Sequence, residues 1–167
     1  SSVSVYGYPQ YNPIDEKHPI QPSSIYGVSK ASAEMLVSAL SQQYSIPSTT
    51  LRVTQLFGLR SANLTLPHIL IRNLAKKMPV QMTCDANVKR DYLHVHDLVC
   101  LLAEIIHNPR QGTLNVGSGE ASAIFDIAKI AHEAFGVPFQ GKKVESKKGP
   151  SSFSQILDIN KIRKLYQ

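Results

Sequence analysis

"PSSIYGVSKASAE", residues 22–34, sets the frame from which the rest of the chain is read. Its proline and serines close a loop, and Ser23 or Ser24 is placed to cap a helix that the spacing carries to about residue 44. Ile25, Val28, Ala31, Met35, Leu36, Ala39 and Leu40 recur at steps of three and four, the period of an apolar helical stripe. Tyr26 and Lys30 are four apart and share a different face, which Glu34 extends by one more turn. The segment that follows, "STTLRVTQLFG" (48–58), is β-branched and apolar, a buried strand ending in a glycine turn.

The same alternation runs through the chain. Upstream, Pro9, Pro13, Pro19 and Pro22 make residues 8–23 a loop. The opening "SSVSVYG" (1–7) reads as the tail of a strand meeting that loop. Downstream, the pattern predicts a helix over 67–77, a short strand over 80–84 and a strand at "RDYLHV" (90–95). That strand passes at Asp97 into an apolar helix over 98–107, and "GTLNVGSG" (112–119) forms a strand and glycine turn. Ser122 opens a helix over 123–135, and a last helix occupies about 160–166. Strands alternating with helices predict an α/β fold.

With 167 residues, 43% of them hydrophobic and 18% charged, the chain has the composition of a soluble globular domain. No apolar run reaches the roughly 18–20 residues of a membrane span, and no secretory leader pattern is present, so the cytoplasm is the expected compartment. Cys84 and Cys100 lie far apart and form no CxxC, which points to neither a disulfide nor a zinc site. The net charge of +6 and pI near 9.4 favour anionic partners. The basic residues are scattered pairs, without the long blocks of a nucleic-acid tail, so they read as a solvated face with one or two positions free for a phosphate-bearing ligand.

A tyrosine works as an acid or base near neutrality only if its pKa falls from about 10 towards 7, roughly 4 kcal/mol of extra phenolate stabilisation. An ammonium one helical turn away supplies part of this, and a bound nicotinamide cation supplies more. YxxxK by itself is a weak signal that recurs by chance, and alone it favours an ordinary helix bearing a half-buried Tyr26 and a Lys30 paired with Glu34.

The surroundings of the motif resemble the extended short-chain dehydrogenase/reductases, the NAD-dependent epimerases and dehydratases acting on nucleotide-linked sugars. Their pattern is a Ser or Thr four residues before a Tyr-Gly, then Glu, prolines and YGxSK. Here Ser2 precedes Tyr6-Gly7 by four, followed by Glu16, Pro19, Pro22 and Tyr26-Gly27-Val28-Ser29-Lys30. "LRVTQLFG", "KRDYLHVHDL" and "GTLNVGSGEASAIFDIA" continue the likeness through nearly the whole chain. The resemblance implies a partial Rossmann-like fold with a smaller C-terminal substrate-binding subdomain. Residues 1–60 would belong to the dinucleotide-binding domain, and 61–167 mainly to the substrate subdomain with interleaved Rossmann elements.

The resemblance also implies roles. Tyr26 would be the acid/base, Lys30 would lower its pKa and hold the nicotinamide ribose, and Ser2 would bind the sugar hydroxyl being oxidised. Hydride would pass from a sugar carbon to NAD or NADP, giving a transient keto-sugar. Arg90 matches an arginine that contacts the diphosphate of a nucleotide-diphosphate sugar, a task suited to a guanidinium fork. Lys148 lies where a second phosphate-binding cation often stands. Gln55 replaces the usual substrate-facing Asn, and Val80 and Met82 match the short strand lining the base pocket. Dehydratases of the family place carboxylates just after the active-site hydroxyl. Val3-Ser4 stand there instead, which favours an epimerase or a reductase.

Two further signals are read as structural. "GSGEAS" lacks GxGxxG spacing and marks a turn, and His94 with His96 lack a third ligand, so no metal is expected. The dinucleotide loop of the family would lie upstream of Ser1, which makes the chain a portion lacking roughly a hundred residues of βαβ units. On its own it would bind cofactor weakly or not at all and would not turn over, whereas the whole protein would be a homodimer. The rival readings are a non-catalytic relative that binds nucleic acid through its basic surface, and a scaffold. The first does not need Ser2, Tyr26 and Lys30 together, and the basic residues lack the interleaved aromatics of single-strand binders, whereas a scaffold role stays open at this point.

Overall fold

The computed structural model describes residues 1–58, 65–85, 88–144 and 153–166. Its elements are α1 (Ile25–Tyr44), β1 (Thr49–Val53), β2 (Gln55–Phe57), α2 (Leu66–Leu74), β3 (Met82–Asp85) and β4 (Lys89–His94). There follow α3 (Val95–His107), β5 (Gly112–Val116), β6 (Ala121–Ala123), α4 (Ile124–Phe135), β7 (Gly141–Val144) and α5 (Asn160–Leu165). β1 pairs in parallel with β5, β2 in parallel with β4, and β3 in parallel with β7, while β6 runs antiparallel to β4. Parallel pairs need long crossovers, and helices supply them, so the fold is α/β.

The single strand expected over 48–58 is divided at Thr54. Residues before it follow β5, from Thr49 opposite Gly112 to Val53 opposite Val116, and residues after it follow β4. Thr54 sits at the junction and serves both neighbours. Its N–H donates to the Val116 carbonyl at 2.9 Å, and its hydroxyl donates to the Asp91 carbonyl at 2.8 Å.

The opening heptapeptide is a turn for most of its length. Val3–Tyr6 form a 3-10 helix, and only Ser2 keeps strand character, as an isolated parallel bridge to Val53. Ser2 itself causes the change: in extended backbone, its hydroxyl accepts the Ser4 N–H and caps the turn. The helix after the proline loop begins as expected, with the Ser24 hydroxyl accepting the Gly27 N–H at 3.0 Å.

The stripe assigned to α1 is a correction. Ala31 is buried, but Ile25, Val28, Met35, Leu36 and Leu40 are exposed. The helix meets the 3-10 turn through its smallest residues, because a Cβ at Gly27 would lie 2.5 Å from the Ser4 carbonyl oxygen. Smallness sets this contact and leaves the larger apolar groups facing outward.

Two apolar clusters organise the described residues. One joins Val3, Val5, Tyr6, Ile14 and Ala31 to Leu93, Leu114, Val116 and the C-terminal Leu157, Ile159 and Ile162. The other gathers Leu70 and Leu74 of α2, Ala128 of α4 and Val137, with Val80 and Met82 packed against them. Among the described residues, no helix is long and apolar enough to cross a membrane.

Candidate active site

A cavity of about 590 Å³ opens between the 3-10 turn, the first turn of α1 and β2. Ser2, Ser4, Tyr26, Gln55, Phe57 and Thr65 contribute to its wall, and Gln155 reaches it from the C-terminal segment. Each arrives for a local reason. The bridge to Val53 fixes Ser2, the Ser24 cap fixes the helical turn that carries Tyr26, and the change of partner at Thr54 fixes Gln55.

Ser2 is buried, and its hydroxyl donates to the Ser4 hydroxyl at 3.2 Å while accepting the Ser4 N–H at 3.2 Å. One lone pair therefore remains for a ligand hydroxyl. Tyr26 is 55% exposed, so its phenol is accessible from the cavity. The Lys30 ammonium lies 5.4 Å from the Tyr26 ring centroid. The Lys30–Glu34 pair of the ordinary-helix reading is not formed. Glu34 is held by Arg52 instead, at 2.8 Å, and among the described residues Lys30 makes no ion pair.

The candidate residues divide into groups. Ser2, Tyr26 and Gln55 share one cavity wall, with Lys30 beside Tyr26. Val80 and Met82 do not line that cavity; they pack on the second apolar cluster, where the Val80 N–H donates to Nε2 of buried His132 at 3.2 Å. Arg90 does not line it either. Its guanidinium donates to the Phe153 and Lys89 carbonyls and stacks over the Phe153 ring at 5.1 Å. Burial holds the Arg90 pKa below the usual guanidinium value. Lys148 lies outside the described residues.

Several cavity residues were not singled out from the sequence. Thr65 stands before Leu66-Pro67, a helix-start spelling that was available to be read. Its hydroxyl oxygen is buried, lines the cavity and has no hydrogen-bond partner among the described residues. Gln155 carries no such signal. Its place depends on an isolated bridge to Arg90 and a donation to the Gly7 carbonyl at 3.4 Å.

The glycine turn after β5 is filled from within. The Ser118 N–H, the Ser118 hydroxyl and the Gly119 N–H all donate to the buried Asp91 carboxylate, at 2.9, 2.7 and 3.2 Å. A Cβ at Gly117 would lie 2.4 Å from an Asp91 oxygen. These amides hold the chain's own carboxylate, as a structural turn should.

Comparisons with known proteins bear on the family and the fold. The family model described as "NAD dependent epimerase/dehydratase family" matches residues 1–117. The chain is 31% identical over 172 residues to a putative UDP-glucose 4-epimerase of Methanocaldococcus jannaschii, covering 99% of this chain and 54% of that protein. Among solved structures, it is similar to a UDP-N-acetylglucosamine 4-epimerase of Methanobrevibacter ruminantium, with a TM-score of 0.87, 21% identity and coverage of 100% of this chain and 55% of that one. It is also similar to a Thermus thermophilus UDP-glucose 4-epimerase in complex with NAD, with a TM-score of 0.83, 22% identity and coverage of 98% and 55%. The chain spans about half the length of the curated relatives it matches. At such identities the structural likeness concerns the fold, which is Rossmann-like α/β along the chain. With the family model matching well over half of its residues, the chain belongs to the NAD-dependent epimerase/dehydratase family of extended short-chain dehydrogenase/reductases.

Proposed function

We propose that these residues form the acid/base and sugar-binding part of an NAD-dependent nucleotide-sugar epimerase. The observation that carries the reading is the meeting of Ser2 and Tyr26 in one cavity wall, with an unpaired Lys30 against the Tyr26 ring. These groups fit a nicotinamide cofactor and a sugar hydroxyl between them: an accessible phenol, a free ammonium and a hydroxyl with one lone pair to spare. When bound, NAD supplies a hydride acceptor for the sugar carbon.

This chain's residues move and hold the proton. Ser2 accepts the hydrogen bond of the substrate hydroxyl and orients it. Tyr26 takes the hydroxyl proton as the keto-sugar forms and returns it when the other face of the ring is reduced. Lys30 favours the phenolate and bonds the nicotinamide ribose. Gln55 faces the sugar, and the free Thr65 hydroxyl adds a donor to the same wall. Arg90, Lys148, Val80 and Met82 are assigned to the nucleotide-diphosphate end. For Arg90 this requires release from the Phe153 carbonyl.

Ser4 favours epimerisation over dehydration, because a hydroxyl there cannot serve as the carboxylate that elimination needs. The exposed apolar face of α1 supports a homodimer, and the family chemistry supports a cytoplasmic setting. The test is turnover of UDP-glucose by the whole protein with NAD, followed by NMR and mass spectrometry. UDP-galactose should form without a 4-keto-6-deoxy product; accumulation of that product would reject the epimerase reading.

A further inference from the structure

Away from the cavity, hydrogen bonds link Tyr6, Glu16, Glu34, Arg52 and Asn115 into one network. We propose that Arg52 is a positioning residue for the reaction, which by holding the Glu34 carboxylate keeps the Lys30 charge uncompensated beside Tyr26. The inference rests on the roles assigned to Tyr26 and Lys30 above.

Lys30 and Glu34 stand one turn apart on α1, the spacing at which opposite charges on a helix normally pair. Here Glu34 faces β1 instead. Arg52 Nε donates to its two oxygens at 3.0 and 3.3 Å, and Nη2 donates at 2.8 Å. Both side chains are nearly enclosed, at 6% and 10% exposure for Arg52 and Glu34. A forked guanidinium satisfies a carboxylate better than a single flexible ammonium can, so Lys30 does not compete for it.

The guanidinium is held in its turn. Its Nη1 donates to the Tyr6 phenol oxygen at 3.0 Å and to the Glu16 carbonyl at 3.3 Å, and it stacks over the Tyr6 ring at 4.9 Å. The Tyr6 phenol donates to Asn115 Oδ1 at 2.6 Å, and the Asn115 N–H donates to the Glu16 carboxylate at 2.9 Å. The charged and titratable groups around Glu34 are therefore Arg52 from β1 and, one turn back on its own helix, Lys30, with Tyr6 and Glu16 behind Arg52. Burial works against both members of the pair. Their mutual hydrogen bonds outweigh it, drawing Glu34 below the usual carboxylate value and Arg52 above the usual guanidinium value.

Removing Arg52 leaves Glu34 enclosed and short of a partner, and a buried charge takes the nearest counter-charge available. On α1 that is Lys30, whose ammonium would be drawn from the Tyr26 ring. The damage would then come from Glu34, which gives the proposal its sign: a second substitution that removes the carboxylate restores function.

The experiment measures turnover of UDP-glucose by the whole protein with NAD, across pH, for the native protein, Arg52→Gln, the Glu34→Gln/Arg52→Gln double variant and Tyr26→Phe. Melting temperatures are recorded alongside. Arg52→Gln should lower kcat about tenfold at neutral pH with KM little changed, and the deficit should shrink as pH rises. The double variant should regain most of the neutral-pH rate while melting below the native protein. A double variant as slow as the single one, or an Arg52→Gln protein with native kcat and pH profile, would show the pair to be a structural brace alone. Should Arg52→Gln not fold, Arg52→Met takes its place with and without Glu34→Gln, and the same rescue is required. Native turnover by Tyr26→Phe would remove the acid/base reading itself. Loss in Tyr26→Phe without rescue in the double variant would overturn only the role of Arg52.

Discussion

The two faces of α1 show what holds a catalytic helix in place. Its inner face is built from Gly27, Ala31 and Glu34, two small residues and a charge, and it lies against the 3-10 turn and Arg52. Its outer face carries Ile25, Met35 and Leu36, more apolar by any scale, and these are 92%, 72% and 62% exposed. The difference teaches that close backbone approach and a forked ion pair, rather than apolar area, fix the orientation of Tyr26 and Lys30. The outer face is where the proposed second copy would sit.

The comparison can be attacked from either side. Tyr26→Phe, at the junction of the two faces, should cost the most: about 10²–10⁴-fold in turnover with the NAD dissociation constant unchanged. Equal losses of binding and turnover would instead make Tyr26 part of the helix contact. Gly27→Ala probes the inner face, since its new methyl meets a backbone oxygen that cannot move alone. Urea unfolding should show a loss of about 1–3 kcal/mol; an unchanged midpoint would mean that the helix is not seated as closely as described.

Glu34→Gln tests the charge on that same face. Folded Glu34 is held below its ordinary value of 4.5, so its contribution is complete above that pH and is lost as pH falls through the folded value. The variant's stability should therefore fall less steeply than the native protein's below about pH 4.5; parallel acid unfolding curves would count against the pair. Leu36→Ser on the outer face should have the smallest effect, within about 0.5 kcal/mol for one chain. Sedimentation of the whole protein sharpens this case, because a shift from dimer to monomer would identify the occupant of the outer face as a second copy.

Local patterns were enough to read the alternation of strands and helices and a serine cap at Ser23 or Ser24, while the roles of Ser2, Tyr26 and Gln55 were legible only through the resemblance to a family. The first two rest on spacing and on residues whose chemistry is specific. The division at Thr54 was not readable, because no residue within 48–58 marks a change of partner, and only the positions of β4 and β5 decide where pairing changes. The stripe on α1 misled for a related reason. Periodicity finds an amphipathic helix but does not say which side meets its own chain, and here Gly27 and Ala31 outweighed Met35 and Leu36. Glu34 was read as a neighbour of Lys30 along the helix, whereas its partner, Arg52, arrives from the next strand.

The Asp91 carboxylate inside the glycine turn has a consequence for how such turns are recognised. A concavity of amides is defined by what it attracts, and this one is permanently occupied by a group carried on β4. The turn therefore works as an intramolecular receptor whose ligand can never diffuse away, fastening β4 to the end of β5. A spelling that elsewhere would invite a phosphate here serves as a latch between strands. The residue that separates the two meanings is an aspartate 26 positions before Gly117 in the chain.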